Sequence, residues 1–253
     1  MKRWLVASAA VLLSLGAVRA QEPQPPACDI PAYLVAGEIP LKKVAAAIKE
    51  RKRLDIVVVG TGSSALSGPD GAARSYPARL KAALERRLPG VEINVIPHVK
   101  SRQTAAETVK TFDKLLLDGV PALVVWQTGT ADAMRGVDAG DFQLTLDNGI
   151  ELLQERGADV VLMNMQYSPR TESMLHLDGY ADTMRAVARD RDVPLFDRLN
   201  LMRYWNDSGA FDLASATKDI TLATRVHDCL GQALALLVLE AAALDNTEGR
   251  PAQ

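Results

Sequence analysis

Residues 54–65, LDIVVVGTGSSA, decide the fold of this 253-residue chain. Residues 54–59 are apolar except for Asp55, and such an apolar run is typical of a strand buried on both faces of a parallel sheet. The run ends at Gly60 and is followed by a cluster of small and polar residues. Because ligand sites of parallel α/β sheets lie beyond the carboxyl ends of the strands, this junction is a candidate site.

Strand-like and helix-like segments alternate along the rest of the chain. Further strands are predicted at residues 91–96, 122–126, 158–165 and 193–196. Helices are predicted at residues 41–52, 76–88, 104–117, 142–156, 180–191 and 222–244. Right-handed crossovers between parallel strands place helices on both faces of the sheet. The pattern therefore predicts an α/β fold, a three-layer α/β/α sandwich with a five-stranded, mainly parallel sheet.

Composition and charge exclude several classes of protein. With 48% apolar residues the chain can bury a large core, and its net charge of -2 gives no electrostatic footprint for nucleic acid. The two cysteines cannot form a four-thiolate zinc site, and no His/Asp/Glu cluster has metal-ligand spacing. Gly60-x-Gly62-x-x-Ala65 matches a weak dinucleotide fingerprint, but Ser67–Gly71 interrupts the expected helix. No metal, cofactor or nucleic-acid partner is predicted.

The N-terminal segment has the parts of a secretory signal peptide. Lys2 and Arg3 precede an apolar run that ends at Val18, and Ala20 fits the residue before a cleavage site. Cleavage after Ala20 would leave a periplasmic or secreted protein without a stable membrane span; the alternative is an uncleaved anchor. The chain is predicted to divide into four segments. Residues 1–20 are a signal peptide, residues 21–40 a Pro-rich leader with an N-terminal arm, residues 41–245 one domain, and residues 246–253 a disordered tail.

Export changes the interpretation of the two cysteines. Cys28 and Cys229 would meet in an oxidising compartment, where exposed thiols rarely stay free. The prediction is a disulfide that ties the N-terminal arm to the last helix. The alternative is two separate buried thiols.

Five segments, taken in order, are similar to a known enzyme family. They are DIVVVGTGSSALSG (55–68), SYPARLKAALERRLPGVEINVI (75–96), PALVVWQTGTADAMRG (121–136), GADVVLMNMQYSP (157–169) and VPLFDRLNLMRYW (193–205). Together they resemble the SGNH/GDSL hydrolases, particularly exported bacterial members, over residues 28–243; SYPARL and WQTGT are the most specific parts. The resemblance implies a flavodoxin-like sandwich. It also implies a serine nucleophile after the first strand, a glycine N–H and an asparagine amide for the oxyanion, and an Asp-x-x-His pair before the last helix.

The positions that carry this chemistry differ in the present chain. A gapless alignment places Gly62 at the nucleophile, whereas a two-residue shift makes Ser64 the nucleophile, with Ser63 beside it. The glycine-rich second block corresponds to residues 99–102, which contain Ser101 but no glycine. In the third block Ala131 replaces the asparagine, and alanine has no amide to donate.

The acid–base pair is also missing from its expected place. The family's aspartate falls near Lys218 and its histidine near Thr221, and the chain contains no Asp-x-x-His. His227 is the candidate displaced base, whereas His98 and His176 are interpreted as a loop residue and a helix-entry residue.

The remaining polar residues of the strand ends are assigned by position. If Ser63 and Ser64 are not catalytic, they are turn residues, and Asp132 and Asp138 are interpreted as solvated charges. The residues predicted to line the cleft are Gly60, Thr61, Gln127, Gly129 and Thr130.

Three functional hypotheses follow from these substitutions. The leading one is a pseudoenzyme whose ester hydrolysis is lost or weakened and whose cleft binds a ligand or partner, such as an acylated envelope glycan or a small ester. The second is an active esterase or acetyl-hydrolase that uses Ser64 with a non-standard base such as His227. The third is a structural or assembly factor.

Overall fold

A computed structural model describes residues 28–214 and 220–244 of the chain. The predicted signal peptide, most of the Pro-rich leader, Lys218 and the C-terminal tail lie outside the described residues.

The described part of the chain is built on one five-stranded parallel sheet. Its strands are β1 (Arg53–Gly60), β2 (Glu92–Val99), β3 (Leu123–Gln127), β4 (Asp159–Met163) and β5 (Leu195–Phe196). They lie in the order β2-β1-β3-β4-β5, and every neighbouring pair is parallel. This order is that of the flavodoxin-like doubly wound fold. The predicted fold class is confirmed.

Helices cover both faces of the sheet. They are α1 (Lys42–Ala46), α2 (Gly71–Arg74), α3 (Tyr76–Arg87), α4 (Ala105–Val109), α5 (Phe112–Leu115), α6 (Thr130–Arg135), α7 (Ala139–Glu155), α8 (Pro169–Met174), α9 (Leu177–Asp190), α10 (Arg198–Asp207) and α11 (Thr221–Leu244). A π-helical turn at Ala47–Arg51 continues α1. One layer contains α3 against α11, with α1 beside α11, and the other contains α7 against α4 and α9.

The apolar run of residues 54–59 is the centre of the core. β1 pairs with β2 over eight positions and with β3 over four, and Leu54, Ile56 and Val58 are fully buried. Because β1 has a strand on either side and helices on both faces, its alternate side chains contact apolar surface on both faces of the sheet. This accounts for a continuous apolar run instead of an alternating one.

The predicted helix at residues 104–117 is two short helices, α4 and α5. Thr104 and Glu107 form a capping box at the start of α4. The hydroxyls of Thr108 and Thr111 then donate to the backbone carbonyls of Thr104 and Thr108. Threonine side chains that bond to backbone carbonyls in this way compete with helix continuation and bend helices.

Helix α11 anchors the C-terminal part of the chain in the core. Its close approach to α3 depends on Gly231, where a Cβ would lie 2.5 Å from the Cβ of Arg79. Thr221–Ala243 is long and apolar enough to cross a membrane, but 67% of its most apolar window is buried inside the protein. The same pattern is found in core helices of soluble folds.

The structure contains the predicted disulfide between Cys28 and Cys229, with the two Cα atoms 5.4 Å apart. Beside it, the backbone carbonyl of Asp29 accepts a hydrogen bond from the indole of Trp205. The Asp29 carboxylate accepts from the hydroxyl of Tyr204. The N-terminal arm is therefore attached to both α10 and α11.

Replacing both cysteines, as Cys28→Ser with Cys229→Ser, should destabilise the protein. The crosslink closes a loop with a sequence separation of 201 residues, and removing a native disulfide typically lowers the free energy of unfolding by about 2–5 kcal/mol. Urea unfolding of the oxidised wild type and the double variant measures the difference. Dithiothreitol should lower the stability of the wild type to that of the double variant and leave the variant unchanged. Equal stability before reduction would contradict the expectation.

Candidate functional site

The candidate site lies at the carboxyl ends of β1 and β3, the two adjacent strands from which the chain turns to opposite sides of the sheet. A doubly wound sheet opens a crevice at this point. On one side β1 leads into a 3₁₀ turn at Gly62–Ser64. On the other side β3 ends at Gln127, and Gly129 precedes α6. The predicted cleft segments are thus brought together.

Ser64 points into the protein. It is 1% exposed, and its Oγ lies 2.8 Å from Oε1 of Gln127 and 3.0 Å from the hydroxyl of Tyr76. The Gln127 oxygen can only accept, so the single proton of Ser64 is donated to it, and Tyr76 donates to Ser64. The hydroxyl proton and a lone pair of Ser64 are both committed to buried partners.

Gln127 joins the ends of the two central strands. Besides Ser64, its Oε1 accepts from the backbone N–H and the hydroxyl of Thr61, at 2.9 and 3.1 Å. Gly60 leaves room for this cluster, because a Cβ there would lie 2.1 Å from Oγ of Ser64. These contacts direct Ser64 beneath the turn and away from the crevice.

Tyr76 lies between Ser64 and the candidate base. Its backbone N–H donates to Nδ1 of His227 at 3.0 Å, while its hydroxyl contacts Ser64. Burial raises the pKa of the Tyr76 phenol. In the described part of the chain, neither Ser63 nor Ser64 forms a hydrogen bond with a histidine.

His227 is held neutral. Burial, together with the positive charge of Arg198, lowers its pKa to about 3. Because Nδ1 accepts from the Tyr76 backbone, the proton of the neutral ring is on Nε2. A general base needs a free lone pair near the nucleophile. Here one ring nitrogen is occupied and the other is protonated.

Two cavities open at the crevice. The smaller, of about 220 Å³, includes Ser101, Thr130 and Ala131 in its wall. The larger, of about 550 Å³, includes Arg198 and His227. Both are lined by Gly62, Ser63 and Gln166, whereas Ser64 lines neither. Ser63 is therefore the serine of the turn that faces the crevice.

The smaller cavity contains three of the positions at which the sequence alignment predicts a substitution of family chemistry. A Cβ at Gly62 would lie 3.0 Å from Oγ of Ser101, so Ser101 occupies the space beside the nucleophile position. Ala131 lies on α6 and presents a methyl group where the family has an amide. The hydroxyl of Thr130 is buried without a hydrogen-bond partner among the described residues. Thr221 is exposed at the start of α11.

Arg198 is a component of the site that the sequence analysis missed. It is the first residue of α10, a helix that was not predicted, and it is 1% exposed. One Nη donates to Oγ of Ser63 and the other to the Ser63 carbonyl and to Oε1 of Gln166, each at 3.1 Å. Burial lowers its pKa to about 10, so the guanidinium stays charged at neutral pH. The available sequence signal was Asp197, which caps α10 by accepting from the Asn200 N–H.

The interpretation of Asp132 as a solvated charge is wrong. Its carboxylate is buried and accepts from the backbone N–H of Ala105 at 3.0 Å, which fixes the start of α4 against α6. Burial raises its pKa. Asp138 has a local role instead, because it caps α7 by accepting from the Gly140 N–H.

The other two histidines lie outside this network. His98 is exposed on β2, and His176 is exposed at the start of α9. Within residues 28–214 and 220–244, no group of three or more His, Cys, Asp or Glu residues is placed to hold a metal ion.

Comparison with known proteins agrees with this architecture. The sequence model of the Non-GDSL lipase-like family matches residues 27–244. The chain belongs to this family. This lipase-like protein is also similar to the esterase TesA of Pseudomonas aeruginosa, with 28% identity over 144 residues, 55% of this chain and 68% of that protein.

Solved structures show the fold that the lipase-like protein shares with SGNH/GDSL hydrolases. A Desulfitobacterium hafniense protein assigned to the G-D-S-L lipolytic family superposes with a TM-score of 0.55 at 16% identity, covering 72% of this chain and 98% of that one. An acetylxylan esterase mutant from Geobacillus stearothermophilus gives 0.58 at 15% identity, covering 73% and 94%. The resemblance stated from the sequence is confirmed. The roles of Ser63, Ser64 and His227 remain predictions.

Replacing His227 with glutamine should reduce the acid sensitivity of folding. The folded protein holds His227 neutral down to about pH 3, whereas an unfolded imidazole has a pKa of about 6.5. Stability from the neutral ring is complete above about pH 6.5 and is lost as the pH falls toward 3, because unfolding then takes up a proton.

Between pH 7 and pH 5 the free energy of unfolding of the wild type should fall by about 2 kcal/mol more than that of His227→Gln. Urea titrations at the two pH values measure this difference. The glutamine oxygen can accept from the Tyr76 N–H, and replacement of the exposed His176, as His176→Gln, serves as the matched control. Identical pH responses of His227→Gln and the wild type would show that burial does not hold the ring neutral.

Proposed function

We propose that this lipase-like protein is an exported pseudoenzyme, whose cleft binds an acyl-bearing ligand of the cell envelope without hydrolysing it. The observation that carries the proposal is the state of His227. Its Nδ1 accepts from the backbone of Tyr76, and no serine of the described chain is hydrogen-bonded to it. A serine hydroxyl without a base is a weak nucleophile at neutral pH.

The substituted positions support the same proposal. Alanine at position 131 supplies no oxyanion donor, and loss of one such donor typically slows acyl transfer by about 100–1000-fold. The crevice itself is retained as two adjoining cavities. Retention of a cleft with substituted chemistry favours binding, and an acylated glycan or a small ester is the proposed ligand class.

An active esterase is the second candidate, and one observation favours it. Ser63 lines both cavities, and its Oγ accepts from the guanidinium of Arg198. If the protein has esterase activity, Ser63 is a better candidate nucleophile than the buried Ser64, because Ser63 lines both cavities and Ser64 lines neither. The third candidate, a structural factor that uses only its surface, has no specific contact in its support.

The pseudoenzyme proposal predicts no serine-dependent turnover. Purified protein would be incubated with acetyl and octanoyl p-nitrophenyl esters and with a fluorophosphonate probe, beside Ser63→Ala and Ser64→Ala. We expect equal hydrolysis by all three proteins and no labelling, because the serine–histidine pair is absent in the described chain. Turnover or labelling that Ser63→Ala removes would establish the esterase with Ser63 as nucleophile. Loss only in Ser64→Ala, with unchanged thermal stability, would establish the Ser64 alternative.

Export predicts a specific mature terminus. The basic and apolar N-terminal segment and the disulfide both fit an oxidising compartment. Mass spectrometry of protein isolated from the periplasm or the medium should find a chain that begins at Gln21. Full-length protein that keeps its first residues and fractionates with the cytoplasm would contradict the proposal. Ala20→Arg is the control, because it removes the small residue that signal-peptide cleavage requires.

A further inference from the structure

The larger cavity contains a buried cation with no carboxylate beside it. Arg198 is 1% exposed, and none of the described residues that line this cavity is Asp or Glu. The nearest acidic residue in sequence, Asp197, pairs instead with Arg185 at 2.9 Å. Buried charges are ordinarily paired, since removing an ion from water is costly. A buried, uncompensated guanidinium at a cavity wall is therefore prepared for an anionic group.

The guanidinium also retains donors for a ligand. Of its five N–H groups, three are used by Ser63 and Gln166. The buried Nε has no hydrogen-bond partner in the described chain. The ring of Tyr76, with its centroid 5.8 Å from the guanidinium carbon, supports the charge from another side. Planar guanidinium groups suit carboxylates, because two N–H groups can bond to two oxygens.

Two neutral donors belong to the same cavity wall. His227 carries its proton on Nε2, because Nδ1 accepts from the Tyr76 backbone, and its side chain lines the cavity. Ser63 accepts from Arg198 through Oγ, so its own proton is available to donate. One cation and two neutral donors, with no acidic side chain among the described residues of the wall, make an environment for a single negative charge.

Most of the remaining wall is apolar, and Gln166, Tyr167 and Ser168 are its other polar side chains. Leu66, Met202, Leu213, Leu222 and Val226 line the cavity together with small residues. The volume of about 550 Å³ falls within the range of roughly 300–1000 Å³ that is common for small-molecule sites. A ligand that matches both the polar end at Arg198 and the apolar wall has an anionic head and an apolar chain.

We infer that the larger cavity binds a monocarboxylate with an apolar chain, with the carboxylate at Arg198, His227 and Ser63 and the chain against Leu66, Met202 and Leu222. The inference rests on the proposed binding function of the crevice and goes beyond the ester or acylated glycan proposed for it, because it assigns a free carboxylate to the larger cavity. In proteins generally, a buried arginine is paired with an acidic side chain. Here the ligand's carboxylate would take that place, which explains why Arg198 is buried at a cavity instead of in a closed core.

Calorimetric titration of the full mature chain with decanoate and with methyl decanoate tests the inference. The two probes have the same chain and differ in charge. Decanoate should bind at least about 10-fold more tightly than its methyl ester, because charge-assisted hydrogen bonds exceed neutral ones in strength. Arg198→Met should weaken decanoate binding by roughly 10- to 100-fold and leave the methyl ester within about threefold of its wild-type affinity. Equal affinity of the wild type for the two probes would overturn the inference.

Matched variants separate binding from folding. Arg203→Met changes another arginine of α10, which pairs with Glu172 and Asp178 and does not line the cavity, so decanoate affinity should stay unchanged. Ala223→Trp fills the cavity from its wall and should abolish binding of both probes, whereas Glu240→Trp, exposed on the same helix, should not. Arg198→Met should keep a cooperative thermal transition, which shows that its loss of decanoate binding is not a loss of folding. Binding that survives Ala223→Trp would place the carboxylate elsewhere and overturn the inference.

The two proposals fail in distinguishable ways. If the wild type hydrolyses methyl decanoate and Ser63→Ala does not, the pseudoenzyme proposal is contradicted. The preference of the site at Arg198 for decanoate over its methyl ester could still be measured in Ser63→Ala. A protein that hydrolyses nothing and binds both probes equally would keep the pseudoenzyme and refute the carboxylate site.

Discussion

The hydrogen bond from Ser64 to Gln127 organises the candidate site. It joins the carboxyl ends of the two central strands in a place without solvent, and Gln127 also holds Thr61 at the start of the turn. A buried donor or acceptor that loses its partner costs about 1–3 kcal/mol, so these groups constrain each other. Because Ser64 is committed beneath the turn, Ser63 is the serine that faces the crevice.

The same turn determines the electrostatics of the crevice. Ser63 offers both its hydroxyl and its carbonyl to Arg198, which draws the guanidinium under the 3₁₀ turn. The charge of Arg198 contributes, after burial, to the low pKa of His227. An SGNH hydrolase needs a basic imidazole beside its serine. Here a cation occupies that neighbourhood, and the imidazole beside it is a neutral donor.

The predictable part of the structure was the part governed by periodic apolar patterning. The runs at Leu54–Val59 and 122–126 identified the central strands, and the apolar C-terminal segment identified α11. Helix α10 (Arg198–Asp207) was missed, although its buried residues Leu199, Met202 and Trp205 are three residues apart, as on one face of a helix. The sequence assigned no functional role to Tyr76 or Arg198, since nothing local shows that α3, α10 and α11 converge on one turn.

The sequence by itself determined the sheet and the family resemblance, and it predicted that the residues carrying the family's chemistry are substituted. These features depend on side-chain type and on local periodicity, and both can be taken directly from the sequence. Only the tertiary structure decided which serine faces the crevice, that Asp132 is buried, and that Arg198 lies with His227 at a cavity whose described lining residues include no Asp or Glu. Burial and charge pairing arise from residues distant in the chain, such as Tyr76 and His227, so they exist only once the layers are packed.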